Sequence, residues 1–327
     1  MLLLKRLVLI FILLPLWAQG AEGVETLPGN AEQLRGKPYP EFHKDYPPNK
    51  EKWEWSLPFL AQKATDRGIH LPRPYGVSLI LTTLSQGVEL SDLHVAFDPN
   101  KPLRDIDFVS LDGSTVQNST WQLKADAWVL PFFNVFGLIG TVQGTGSVNV
   151  GISAKEFFDD FDPAICAGMP SFCQGYISAK APMKYTGVNY GIGFLLAGGY
   201  HNFFFAMPVT YVVTDTNVST SNSYSLNMIP RIGYNLQTPR SGKFGFYVGG
   251  NYLDSHADLT GTFSLPMASS PIGHDVNVQY SIHEHATDRW NGVVGTNWEI
   301  SDLWSVVLEL GYSENRTMQT IDFVYRL

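Results

Sequence analysis

The sequence predicts an all-β fold: an antiparallel transmembrane β-barrel of about ten strands, with eight and twelve as the alternatives, preceded by a short N-terminal helix. Three observations predict it. Apolar and polar residues alternate with period 2 in nearly every segment after residue 75. The connections between those segments alternate short and long. No stretch beyond the first residues approaches the ~20 apolar residues of a spanning helix, so any crossing of a membrane falls to strands.

Ser119 to Val142 is the organising stretch and reads as two strands joined by a tight turn. In the first, Trp121, Leu123, Ala125, Ala127 and Val129 share a face opposite Gln122, Lys124 and Asp126. In the second, Phe136, Leu138, Gly140 and Val142 share a face opposite Gly137, Thr141 and Gln143. A soluble sandwich alternates in the same way. Recurrence of the pattern behind a secretory leader, with aromatic strand ends, favours the barrel.

Composition agrees. Of 327 residues, 16% are charged and 13% aromatic, with 30 Gly. That suits a sheet with a lipid-facing side and a tightly packed interior. A net charge of −8 argues against a nucleic-acid partner.

The chain divides into residues 1–21, a signal peptide; 22–72, a periplasmic N-terminal segment; and 73–327, the barrel. Lys5 and Arg6 form a positive n-region, Leu7 to Trp17 an apolar h-region, and Ala18 to Ala21 supplies small residues for cleavage. No Cys follows the leader, so a lipid-modified N-terminus is not expected. Residues 21–55 lack periodicity and are rich in Pro, Gly, Lys and Glu. A helix then starts, with Ser56 as cap, Pro58 in the first turn and Gly68 as stop. Such a helix lies inside the barrel, against its periplasmic mouth, or loosely docked as a linker.

The strands follow in order. The first runs from about Tyr75 to Gln86, with Tyr75, Val77, Leu79 and Leu81 on one face. The 119–142 hairpin supplies the second and third. The fourth, Lys184 to Leu196, sends Val188, Tyr190, Ile192, Phe194 and Leu196 outward and Asn189, Gly191 and Gly193 inward. The fifth, Phe203 to Val213, sends every odd residue outward. The sixth, Tyr224 to Leu236, places Asn227, Arg231 and Asn235 inside. The seventh, Phe244 to Tyr252, shows Phe244, Phe246, Val248 and Tyr252 to lipid. The eighth, Trp290 to Ile300, turns Asn297 and Glu299 inward. The ninth, Trp304 to Tyr312, turns Glu309 inward. The tenth, Thr317 to Leu327, turns Asp322 and Arg326 inward. Short turns fall near residues 131–134, 198–202, 236–243 and 301–303. Long connections fall at 91–118, 151–183 and 254–288, where 258–285 holds extra strands or extends two strands above the membrane.

With Phe323, Tyr325 and Leu327 alternating to the last residue, the chain resembles a bacterial outer-membrane β-barrel protein, although that family usually ends in Phe. The resemblance covers residues 75–327. It implies residence in the outer membrane, contact with outer-membrane lipid, and insertion by the barrel assembly machinery. It implies an architecture and not an activity.

Cys166 and Cys173 are close in an exported chain and favour a disulfide across the second long loop, with a metal pair or free thiols as the alternatives. His283 and His285 present two imidazoles on one strand face, with His256 and His274 in the same region. A metal site needs three or four converging ligands, so these are weak candidates and no cofactor is expected. No Gly-x-Ser-x-Gly elbow, phosphate loop or His-Glu-x-x-His helix occurs.

Alternation puts Lys124, Asp126, Arg231, Glu299, Glu309, Asp322 and Arg326 in the lumen. Both signs are present, so they either form a salt-bridged plug or line a narrow selective pore. About ten strands are too few for a broad diffusion pore. Three functions follow: a non-enzymatic surface protein whose outer loops bind an extracellular ligand or protect the envelope, a narrow small-solute channel, and an outer-membrane enzyme with a site at the rim. The first is the expected one.

Overall fold

The structure is a computed structural model, and it describes residues 52–96, 103–105, 109–110, 114–161, 163–218, 222–238, 241–265 and 275–327. The leader at 1–21 and most of the following segment lie outside the described residues. So does His274.

The strands are β1 (Tyr75–Ala96), the two-residue β2 (Arg104–Asp105) and β3 (Val109–Ser110), β4 (Thr115–Leu130), β5 (Phe133–Ser153), β6 (Tyr176–Tyr200), β7 (Phe203–Thr216), β8 (Ser223–Met228), β9 (Arg231–Thr238), β10 (Gly242–Leu265), β11 (Val276–Ala286), β12 (Trp290–Glu299), β13 (Trp304–Tyr312) and β14 (Arg316–Arg326). All pairings are antiparallel. β1 pairs with β4 on one side and β14 on the other, which closes the ring. Twelve segments, β1 and β4 to β14, share in it. β8 and β9 continue one line on either side of Ile229 and Pro230, and both lie between β7 and β10. β11 bridges the far ends of β10 and β1 beyond the tips of β12 to β14. A circuit nearer the short turns therefore crosses ten positions, those of the expected strands. The stretch 258–285 does both things expected of it: it lengthens β10 and adds β11.

No helix among the described residues is long and apolar enough to cross a membrane. The outer wall is built to do so. Leu123, Ile139, Ile192, Ile232, Val248 and Val294 are exposed in a band around it. Paired rings flank the band: Trp304–Tyr325 and Phe203–Tyr234 toward the short turns, Tyr252–Trp290 and Tyr211–Tyr224 toward the long connections. An apolar band between two aromatic girdles is the signature of a strand-built membrane wall.

The expected faces hold in the other strands, and β5 needs a refinement. Its alternation is as expected, but the face with Phe136, Leu138 and Val142 is the inner one, while Val135 and Ile139 look out. Both faces of this strand carry apolar groups, so the pattern does not choose between them. The neighbour does: Gly193 of β6 leaves room for the Phe136 ring, which a Cβ there would meet at 2.4 Å.

One line in the wall is thinned. Ile229 N–H donates to the Pro208 carbonyl at 3.0 Å, and Gly250 N–H donates to the Pro230 carbonyl at 3.1 Å. Neither proline has an N–H to return, so the β7–β8–β10 ladder loses a donor on each side at this level.

Ahead of the barrel, helix α1 (Ala61–Thr65) begins later than expected. Ser56 does not cap it. Leu60, at φ 68°, stands at the N-cap without a side-chain cap, and Ala61 N–H donates to the Pro58 carbonyl. Gly68 does end the helical turn, at φ 76°. The segment docks at the short-turn mouth. Phe59 N–H donates to the Val129 carbonyl at 2.8 Å, and Arg73 meets Asp302, in the β12–β13 turn, at 2.8 Å.

The second long connection carries α2 (Ala154–Phe161), α3 (Pro163–Gly168) and a 3-10 turn (Pro170–Cys173). In α2, Ala154, Phe157 and Phe158 are buried at helical spacing while Lys155, Glu156 and Asp159 face water. Cys166 and Cys173 form the expected disulfide. This connection therefore has a small core of its own.

The strand faces yield a direct test. Leu308, between the inward Val307 and Glu309, faces lipid. Leu308→Arg is expected to cost about 2–4 kcal/mol, the penalty of a cation at the midplane of a barrel wall. Val307→Asn is expected to be milder. Urea unfolding followed by heat-modifiable gel mobility measures both, and equal losses would show that the register is shifted by one residue.

A lumen with one charged and one apolar wall

Alternation sends a second set of side chains into the barrel, where they surround a cavity of about 600 Å³. Its two sides differ. Five of the expected charges lie on β4, β13 and β14, Arg231 lies on β9 and Glu299 on β12, and every one has a partner. Arg326 of β14 reaches Asp126 of β4 at 2.6 Å. The register explains the reach: both residues are direct partners of Gly76 on β1. A Cβ at Gly76 would stand 2.6 Å from the Asp126 carboxylate and 2.7 Å from the Arg326 guanidinium, so the pair needs a glycine beneath it. Asn134 donates to the same Asp126 oxygen at 2.6 Å. Lys124 pairs with Asp322 at 3.1 Å and lies 5.7 Å from the centre of the Phe136 ring.

A third pair crosses a wider gap. Arg231 of β9 meets Glu309 of β13 at 2.9 Å. Tyr247 of β10 lies between them. Its hydroxyl donates to Glu309 at 3.0 Å, and the Arg231 guanidinium stacks 4.9 Å from its ring centre. Tyr247 pairs in the ladder with Gly233 and Gly295, and a Cβ on Gly295 would strike its ring at 2.5 Å. Glu299, nearer the short-turn mouth, pairs with Lys243 at 2.8 Å. The seven expected charges plus Lys243 thus make four cations against four carboxylates. They pair along the wall and leave the cavity beside them. Lys243 and Tyr247 were missed by the sequence reading although alternation with Phe244, Phe246 and Val248 points both inward.

The facing wall is mostly apolar, with Phe136, Leu138, Leu195, Phe204, Pro208 and Val212, and carries Asn189, Thr210 and Thr214 as neutral polar groups. Pro72 and the 301–303 turn, with Asp302 held by Arg73, line the short-turn end. His70 sits beside it, and burial, helped by Lys243, holds its imidazole below the usual histidine range. At the other end Glu284 projects inward from β11, beyond the aromatic girdle. Burial pushes its carboxyl up to about 7.

His283 and His285 share the opposite face of β11. His283 is bound to Asp258, and the His285 ring meets His256 at 4.8 Å between centroids. They stand on one face as expected. No group of three or more metal-binding side chains forms among the described residues.

No protein-family model and no curated protein matches the chain. Solved structures of outer-membrane β-barrel proteins do. The outer membrane protein OprG from Pseudomonas aeruginosa is 12% identical, with 79% of this chain and 98% of that one covered and a TM-score of 0.37. The transport unit of the autotransporter AIDA-I from Escherichia coli is 9% identical, over 78% and 90%, at a TM-score of 0.33. The toluene transporter TodX from P. putida is 7% identical, over 78% and 91%, at a TM-score of 0.27. These likenesses are of architecture alone.

Two measurements probe the charged wall. Arg231→Met leaves the Glu309 carboxylate, 3% exposed, without its cation. It is expected to destabilise the barrel by about 3 kcal/mol, and Arg231→Met with Glu309→Leu to recover most of that, because a buried unpaired charge costs more than an apolar pair. Urea unfolding of the three proteins checks this. The second concerns pH. The fold holds Glu284 at about 7 against an ordinary 4.5, so it favours the neutral form. The stability Glu284 contributes is full below 4.5 and is lost as pH rises through 7. The midpoint of thermal unfolding should therefore drop from pH 5 to pH 8 more in the native protein than in Glu284→Gln.

Proposed function

We propose that the protein is a non-catalytic outer-membrane barrel, exported through a cleaved leader, that binds and passes a small uncharged amphipathic molecule through its lumen. One observation carries this reading: a cavity of about 600 Å³ with an apolar wall facing a fully ion-paired one. A permeating ion would meet only paired charges along that wall, and opening a pair to receive it leaves the other partner uncompensated in a low-dielectric lumen. A molecule with an apolar body and hydroxyl or ether groups satisfies both walls without breaking a pair. Ten positions around the ring keep the conduit narrow. The segment from Phe59 to Arg73, latched at Val129 and Asp302, stands where material would leave toward the periplasm.

A second reading, a surface protein whose outer loop binds an extracellular ligand, is favoured by the loop's own core of Phe157 and Phe158 and its disulfide.

The test uses proteoliposomes holding the full mature chain, with ion conductance and the flux of a neutral aryl glucoside measured on the same preparation. The expected result is glucoside flux above protein-free vesicles with little conductance. Leu195→Trp, which fills the apolar wall, should reduce the flux several-fold, and His283→Ala with His285→Ala should leave it unchanged. High conductance without glucoside flux would make the protein an ion channel. No flux of either kind would leave the surface reading.

A further inference from the structure

Beyond its apolar band, the outer wall is not uniform. On β4 the outward residues that follow Leu123 and Trp121 toward the long connections are Ser119 and Gln117, both exposed. On β5, Ile139 is followed by Thr141, Gln143 and Thr145, all exposed. On β6, Tyr190 and Val188 give way to Thr186 and Lys184. β1 and β14 change in the same way, to Thr83 and to Thr317. Ladder pairing sets these strands side by side in the order β14, β1, β4, β5, β6. Their hydroxyls and amides border one hollow of about 800 Å³, which also touches the half-buried Leu84, Asn118 and Tyr185 between them, with Lys184 as its cation and no carboxylate among its lining residues. The other half of the barrel is different: beyond its band stand Tyr211, Tyr224, His256 and His285 in a chain of ring contacts, stacked, tilted and edge-on in turn.

We propose that this hydroxyl-and-amide face binds the saccharide headgroup of a glycolipid in the outer leaflet, with Lys184 on an anionic group of that headgroup. Three features choose this occupant. The face continues directly from the lipid-facing band, so its ligand is anchored in the same leaflet and its polar part begins where the strands turn polar. Its chemistry is neutral donors and acceptors in a shallow hollow, which matches a polyhydroxyl surface; one cation matches an isolated phosphate or carboxylate. It carries no exposed aromatic or aliphatic anchor, which a protein partner would need to bury.

The experiment uses the full mature chain, folded in detergent and freed of native lipid. It is titrated with rough-type lipopolysaccharide and, separately, with phosphatidylethanolamine, and bound lipid is counted by native mass spectrometry. Lipopolysaccharide should be retained in preference to phosphatidylethanolamine, and the free core oligosaccharide, which lacks acyl chains, should compete it off. Gln143→Ala with Thr145→Ala should weaken retention about tenfold, the effect of losing two or three modest hydrogen bonds. Tyr224→Ala on the opposite half should not weaken it. Heat-modifiable mobility shows that each variant is folded. Equal retention of the two lipids, no competition by the oligosaccharide, or loss only in Lys184→Gln would each overturn the proposal. The competition arm uses the native protein and does not depend on any variant.

Discussion

The rest of the structure depends on one constraint: in a hydrocarbon medium every backbone N–H and carbonyl must find its partner within the protein. A sheet meets that demand by having no edge. Here β1 supplies the closure, pairing from Gly76 to Gln86 with β14 on one side and with β4 on the other. The first and last strands of the barrel are thus neighbours, and the barrel's two ends meet at the short-turn rim, where Leu327 N–H donates to the Tyr75 carbonyl at 2.9 Å. The docked N-terminal segment lies against that rim because the chain has just emerged there. The same constraint makes the Pro208 and Pro230 line notable. There two prolines at one level leave ladder carbonyls without their usual donors, and both Pro208 and Ile229 border the lumen.

Closure fixes the interior as well. Once the register is set, inward residues fall in rows across neighbouring strands, and a row can hold only so much volume. Arg326, Gly76 and Asp126 form one such row. Gly233, Tyr247, Gly295 and Glu309 form another. In each, glycine on the strand between or beside the large side chains lets them meet over the backbone. The inward glycines are therefore not simply small residues in a tight barrel. In these two rows they decide which charges can reach each other, whereas Lys243 and Glu299 meet as direct ladder partners.

Most of the architecture was legible because its cause is local. Period-2 alternation is a property of each strand, so Trp121, Ile192 and Val294 could be placed outside, and Asp126, Glu309 and Arg326 inside, without knowing any neighbour. What was not legible depends on neighbours. β5 is apolar on both faces, and only the space left by Gly193 decides that Phe136 turns inward. The cap of α1 was misplaced because Ser56 is a good capping residue by type, while the chain at Leu60 is already committed to docking on Val129. The site was half legible. Alternation gave the charges, but not their partners, since Arg231 reaches Glu309 across two intervening strands. The apolar wall was hidden for a different reason: Leu195, Phe204 and Val212 lie in strands where outward residues are apolar too, so they carry no contrast.

The pairing also bears on what the lumen would select under the proposed function. A pore lined by charges of one sign draws counter-ions, because its field is uncompensated. Four cations set against four carboxylates along one wall leave little long-range field, while each pair still presents polar edges to the cavity. Each pair also resists intrusion, for a solute that captures one member strands the other among buried groups. The wall therefore forms a fixed array of donors and acceptors, and on the proposed reading discrimination would fall to shape and to contact with Phe136, Leu195 and Phe204. A barrel of this size gains from such an arrangement. Its charged groups hold neighbouring strands together where glycine has removed side-chain packing, as Arg326 and Asp126 do over Gly76.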